Sequence, residues 1–287
     1  MTAIIKKEMR TYFTSVSGYG FLAVLLLMTG LFFGGMNVDA GNPYYASTLS
    51  QCTILFLILI PVLTMRLFAE EARQKTDQLL YTSPLKVSHI VVGKFLSAVF
   101  LFLIGMGITL LFPFIMTIYG RIPVAETVGV FIGYILLGIC YISVGIFISS
   151  LTQSQVIAAV ATFAVLFIFL LMDSLASTAP VTREASAIFI GAAIIGLALI
   201  VYTSTKSKLV GGIFGAVCAA GAVGAYFMNN LLFDGVIAKV LRWFSLLNRF
   251  SNFQAGVLDL GDIVYYVTFA FAFVFLTVNT IEKRRWK

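Results

Sequence analysis

Long apolar runs alternate along the chain with short polar segments, and that alternation sets out its elements. Ile4, Ile5, Met9, Tyr12, Phe13 and Val16 recur at helical spacing with Lys6, Lys7 and Arg10 on the other side. This predicts an interfacial helix over residues 1–17, with a disordered basic leader as the alternative. Gly18–Met36 is an uncharged run of 19 residues, longer than the roughly 7–15 of a signal-peptide core, so it reads as an uncleaved first span. Residues 47–64 read as the second span, 90–119 as the third with Pro113 as a kink, 127–149 as the fourth and 156–172 as the fifth. Two further apolar runs, 185–202 and 209–228, are joined by Thr203–Lys208, and Ile263–Ile281 is the last. The expectation is a single all-α polytopic membrane domain over residues 1–287 with about eight transmembrane helices.

Two polar stretches interrupt this pattern. Met65–Lys94 carries Arg66, Glu70, Glu71, Arg73, Lys75, Asp77, Lys86 and Lys94. On a helix Glu70 faces Arg73 and Glu71 faces Lys75 at spacings of three and four, which predicts a short self-supported surface helix. Ser83 and Pro84 end it, because the residue before a proline is pushed out of helical geometry. A charged helix and turn over residues 66–89 is a handle for a soluble partner. The second stretch, 229–261, is too polar to span. Val236, Ile237, Val240, Leu241, Phe244 and Leu247 share one helical face while Lys239, Arg242 and Arg249 share another, which predicts a second interfacial helix. With Trp243 and Phe244 beside Arg242 and Arg249, it either rests among headgroups or forms a docking surface.

Composition changes the picture only by excluding other classes. The chain is 60% hydrophobic and 11% charged, whereas about a quarter of the residues in a soluble domain are charged. A net charge of +7 would suggest nucleic acid in a soluble protein, but here the cations flank apolar runs, where they set orientation. Of 19 Lys and Arg residues, all but Arg121, Arg183, Lys239, Arg242 and Arg249 fall on one side of the eight-span reading. That bias puts both termini and residues 66–89 in the cytoplasm and residues 229–261 outside. Cys52, Cys140 and Cys218 lie in apolar stretches and read as small buried hydrophobes rather than as disulfides or a metal pair.

The chain offers little chemistry of its own. It contains no GxxxxGK[ST], HExxH or GxSxG motif, so no catalytic residue, bound cofactor or metal is expected. His89, the single histidine, has no acidic residue within a helical turn and reads as interfacial rather than as a proton relay. Glu126 and Asp173 sit at predicted span ends. Gly129 and Gly133 form a GxxxG spacing, read as contact within the chain in preference to a dimer seam.

The run Phe68–Pro84 followed by Gly93-Lys94 resembles the coupling-helix region of type-2 ABC transporter permeases, most of all the gliding-motility and nitrous-oxide-maturation permeases. Their pattern has a di-acidic and basic stretch, a Gly-Thr pair, a Glu, leucines and a Ser/Lys-Pro; here Lys75 stands for the glycine and Gln78 for the glutamate. Phe253–Asp262, Val264-Tyr265-Tyr266 and the terminal Glu282–Trp286 resemble the last span of the same permeases. The likeness covers roughly residues 1–173 and 248–287, and makes residues 185–228 an inserted helix pair on a six-span core. It implies that Glu70, Glu71, Arg73, Lys75, Thr76, Asp77, Leu79, Leu80 and Pro84 couple to a separate ATPase that holds ATP and Mg. It implies pairing with a second permease copy or homologue in the bacterial cytoplasmic membrane, with an outer accessory protein as a further candidate partner. Transport would follow from rigid-body movement of the spans. A scaffold passing ATPase motion to an outer partner and an ion-coupled secondary transporter are the alternatives; the latter lacks ionisable residues at the membrane midplane.

Overall fold

The computed structural model describes residues 2–76, 86–180, 182, 184–186, 188–191 and 235–285. Its elements are α1 (Thr2–Thr14), α2 (Val16–Phe33) continued by a π-helix (Gly34–Asp39), α3 (Tyr45–Cys52), α4 (Phe56–Gln74), α5 (Val87–Thr109), α6 (Leu111–Tyr119), α7 (Val124–Leu151), α8 (Gln155–Thr178), α9 (Val236–Phe244), α10 (Leu246–Gln254) and α11 (Leu260–Arg285). Among the described residues there is no strand. Among the described residues six segments are long and apolar enough to cross a membrane: Val16–Asp39, Tyr45–Gln74, Val87–Tyr119, Val124–Leu151, Gln155–Thr178 and Leu260–Arg284. The chain is an all-α, multi-pass membrane protein. The predicted inserted pair, 185–228, lies almost wholly outside the described residues.

The chain divides into two compact units, Met1–Ile168 with Leu246–Lys287, and Phe169–Ser245. In the first, α7 is the central helix. Val130, Tyr134, Leu137, Cys140, Tyr141, Val144 and Ile146 are all buried, and α4, α10 and α11 pack against it. Its small residues permit this approach: a Cβ on Gly133 would stand 2.6 Å from the Cβ of Phe253, and one on Gly129 would stand 2.6 Å from the Phe253 carbonyl oxygen. The Gly129/Gly133 spacing is thus a seam within the chain, as helix packing in lipid favours. Phe56 anchors an aromatic cluster beside it, with ring centroids 4.5 Å from Tyr134, 5.6 Å from Tyr141 and 5.8 Å from Phe102. Tyr134 donates to the Cys52 carbonyl at 3.1 Å, so its hydroxyl is satisfied in the interior. Outward faces of α2, α8 and α11 remain apolar and exposed, including Leu27, Leu31, Val160, Phe271 and Phe275. Surfaces of that kind suit lipid rather than water.

Element boundaries depart from the sequence pattern in three places, each with a local cause. The third apolar run is two helices broken at Leu110, because Pro113 has no N–H to donate and its ring crowds the carbonyl four residues back, Thr109. The charged stretch is no separate surface helix: α4 runs without a break from Phe56 to Gln74, carrying the second span directly into it. Residues 236–254 are not one interfacial helix but two, with Ser245 extended at φ −72°, ψ 111° between α9 and α10.

Candidate functional site

The site grows from the end of α4. Its last turn closes with the Thr76 N–H donating to the Glu71 carbonyl at 3.1 Å and the Lys75 N–H donating to the Ala72 carbonyl at 3.3 Å. That pair of hydrogen bonds is the Schellman ending, whose C′ residue must be left-handed. Lys75 has φ 56° and is the described non-glycine residue with positive φ. The resemblance expects glycine at this position, and the geometry supplies the reason. The end of α10 has the same pattern, Val257 N–H to Asn252 O at 3.0 Å and Gly256 N–H to Phe253 O at 3.1 Å, with Gly256 at φ 73°.

This turn overturns the predicted ion pairs of the charged stretch. Glu70 accepts from Arg66, four residues earlier, at 2.8 Å from Nε, rather than from Arg73. Arg66 also donates to the Ser17 hydroxyl at 3.1 Å, tying α4 to the start of α2. Glu71 does not meet Lys75, because a left-handed Lys75 leaves the helical row. Instead Glu71 faces inward, 2.9 Å from Nζ of Lys94.

Lys94, in the second turn of α5, is only 1% exposed. Its ammonium donates to Glu8 Oε1 at 3.0 Å and to the Leu67 carbonyl at 2.7 Å, with Glu71 completing the set. Lys94 of α5 thus makes two hydrogen bonds and a further ion pair to groups on α1 and α4. The Phe68 ring covers the ammonium at 5.2 Å. Lys7 reaches Glu71 at 3.2 Å, so two cations and two carboxylates balance in one cluster. Burying charge is tolerable only with such pairing, since an ion left alone in the interior costs several kcal/mol. Tyr12, one helical turn beyond Glu8, donates to the Leu63 carbonyl at 3.3 Å, and burial pushes its hydroxyl well above the ordinary tyrosine range. Ser149 of α7 closes the far side of α4, donating to Met65 O at 3.2 Å and accepting from the Phe68 and Ala69 N–H groups at 3.3 Å.

Arg73, Lys75 and Thr76 remain exposed at the tip of α4. Asp77, Leu79, Leu80 and Pro84 lie outside the described residues. Glu8 is the residue that sequence pattern passed over, although it left a signal. It occupies the same i, i+4, i+8 row as the buried Ile4 and Tyr12, so an acid there required an internal cation. Lys94 carried the same signal, standing among the buried Ile90, Val91, Ala98 and Leu101.

The second predicted site separates into unlike parts. Arg242, Trp243 and Phe244 are exposed at the end of α9. Arg249, in α10, is part-buried and engaged within its own unit. Its Nη1 donates to Asp262 at 2.7 Å and its guanidinium lies 3.9 Å from the centre of the Tyr265 ring. Asn252 donates to the other Asp262 oxygen at 2.7 Å, and Tyr266 donates to the Leu246 carbonyl at 2.6 Å. These bonds fold α10 back on α11, whose first turn is capped by Asp259 accepting from the Gly261 N–H at 2.9 Å. Arg249 is therefore a structural tie.

No curated protein matches the chain. Residues 35–183, just over half of its length, match the family described as ABC-2 family transporter protein. That span begins in the π-helix and ends past α8, taking in α4, α5 and α7 together with the Lys75 turn. A helical, multi-pass chain with this match belongs to the ABC-2 transporter family, as one of its membrane components.

Proposed function

We propose that this chain is the permease subunit of an ABC transporter whose ATP and Mg are held by a separate ATPase chain, and that the exposed tip of α4 is where the ATPase docks. In this reading the tip and both termini are cytoplasmic and the membrane is the bacterial inner membrane. The permease works as a pair with a second copy or homologue, and it is of the kind of the gliding-motility and nitrous-oxide-maturation permeases. The observation that carries the reading is the Lys94 cluster. A docking helix transmits force only if its base is rigid, and Lys94 binds α1, α4 and α5 together directly behind the exposed Arg73, Lys75 and Thr76. Push on the tip therefore moves three elements as one body. The buried charged residues among those described are Glu8, Lys94 and Asp262. All three are in ion pairs, Glu8 on α1, which is not among the spanning segments, and Asp262 in the first turn of α11, which favours an ATP-driven permease over an ion-coupled one.

The test is affinity purification of the tagged chain from its native membrane, with the co-purifying ATPase identified by mass spectrometry. Reversing charge at the exposed Arg73 and Lys75 together should cut recovery of the ATPase while the amount of permease in the membrane is unchanged. Undiminished recovery overturns the docking assignment.

A further inference from the structure

Phe33, the last residue of α2, and Phe112, in the first turn of α6, stack with ring centroids 4.9 Å apart. Beyond that staple lies a cavity of about 520 Å³, within the range of roughly 300–1,000 Å³ typical of small-molecule sites. Phe33, Val38, Ile115, Met116 and Ile122 give it an apolar wall, and Arg121 lines it too. Arg121 is exposed and forms no ion pair among the described residues, Asp39 of the adjoining π-helix included.

The wall is built in advance. Gly34–Asp39 is a π-helix, a geometry that is rare and recurs at functional sites. It is braced by Asn37, which donates to the Asn42 carbonyl at 2.7 Å and the Tyr44 carbonyl at 3.2 Å and accepts from the Thr48 hydroxyl. Asn42 in turn accepts from the Tyr44 N–H at 2.9 Å. With the side chains of Asn37 and Asn42 engaged within the turn, the cavity presents a mainly apolar surface with the Tyr119 side chain and one guanidinium. A free anion would use only the guanidinium, in a place where water screens it. A wholly apolar ligand would leave it idle. An amphiphile with an acyl chain and a phosphate headgroup uses both, and guanidinium is well matched to phosphate. Because no Asp or Glu among the described residues lines the cavity beside Arg121, a cationic headgroup such as choline would find no acidic partner there, so a net-acidic lipid fits better. Tyr44 and Tyr119, exposed nearby, are of the type that settles at headgroup level.

We propose that this cavity binds one acidic glycerophospholipid, its headgroup phosphate on Arg121 and its acyl chain along Phe33, Ile115 and Met116. The proposal is independent of ATPase docking.

Native mass spectrometry of the purified full-length chain tests it, with phosphatidylglycerol and phosphatidylcholine added separately at equal concentration. Wild type should hold one phosphatidylglycerol in clear excess over phosphatidylcholine, and added inorganic phosphate should not displace it. Arg121→Gln should lower the phosphatidylglycerol adduct roughly five- to tenfold, the scale of one charge-assisted contact, whereas Arg121→Lys should keep most of it. Met116→Trp, which fills the cavity, should remove the adduct without touching the charge. Equal adducts of the two lipids, an Arg121→Gln variant that binds like wild type, or an equal loss on Arg10→Gln, which removes a cation from α1, overturns the proposal.

Discussion

Lys94 and Glu8 stand 86 positions apart in sequence and 3.0 Å apart in space, and their meeting fastens the amino-terminal helix to the bundle. The pair lies in a cluster that also holds Glu71 and Lys7, so its members should behave as a unit under mutation. Lys94→Met leaves Glu8 and Glu71 with Lys7 alone and should destabilise the detergent-solubilised protein by roughly 3–5 kcal/mol, the cost of breaking a buried pair from one side. Adding Glu8→Gln to Lys94→Met should cost less than the sum of the single changes, because the orphaned carboxylate is removed with its partner. Thermal unfolding followed by intrinsic fluorescence measures both; additive losses would show that the cluster is not coupled.

Lys75 predicts a gain in stability. Its φ of 56° strains any side chain with a Cβ, and Lys75→Gly should stabilise the end of α4 by roughly 0.5–1 kcal/mol, the strain released less glycine's greater freedom when unfolded. Slower amide exchange at residues 71–74 in Lys75→Gly than in wild type is the expected readout. Lys75→Ala, which loses the charge but keeps the strain, should show no such slowing.

Arg249 and Arg242 should part company. Arg249→Gln removes the guanidinium from Asp262, itself 3% exposed, and should lower thermal stability by roughly 2–4 kcal/mol as the tie between α10 and α11 is cut. Arg242→Gln, at an exposed position, should stay within about 0.5 kcal/mol of wild type. Equal effects would contradict the division of residues 236–254 into an exposed end and a tied one.

The proposed orientation of the chain rests on the distribution of its cations and can be checked directly. Reporters fused after Lys287 and inserted within Thr203–Lys208 should both read cytoplasm, since all but five of the 19 Lys and Arg residues fall on that side of the eight-span reading. An external signal from the second reporter would remove the inserted pair.

The sequence by itself determined the class of the protein and the approximate position of the six spans that the structure describes. Lipid acts as a solvent on whole helical windows, so runs such as 127–149 or 156–172 declare themselves with no knowledge of their neighbours. The end of α4 was not legible in the pattern: Ser83 and Pro84 were expected to close the charged helix, and it closes at Gln74 instead. The glycine expected where Lys75 stands marks a left-handed turn that depends on a handful of adjacent residues. Partner choice was decided by tertiary structure. Glu71 has Lys75 at helical spacing, yet it turns to Lys94 because the chain leaves the helix at Lys75 and α5 brings a buried ammonium alongside. Arg249 lines up with Arg242 on a continuous helix, yet a break at Ser245 sends it to Asp262. Local spacing lists the charges that could meet along one helix; only packing determines which of them are buried together, and burial makes an ion pair strong enough to prevail over its neighbours in sequence.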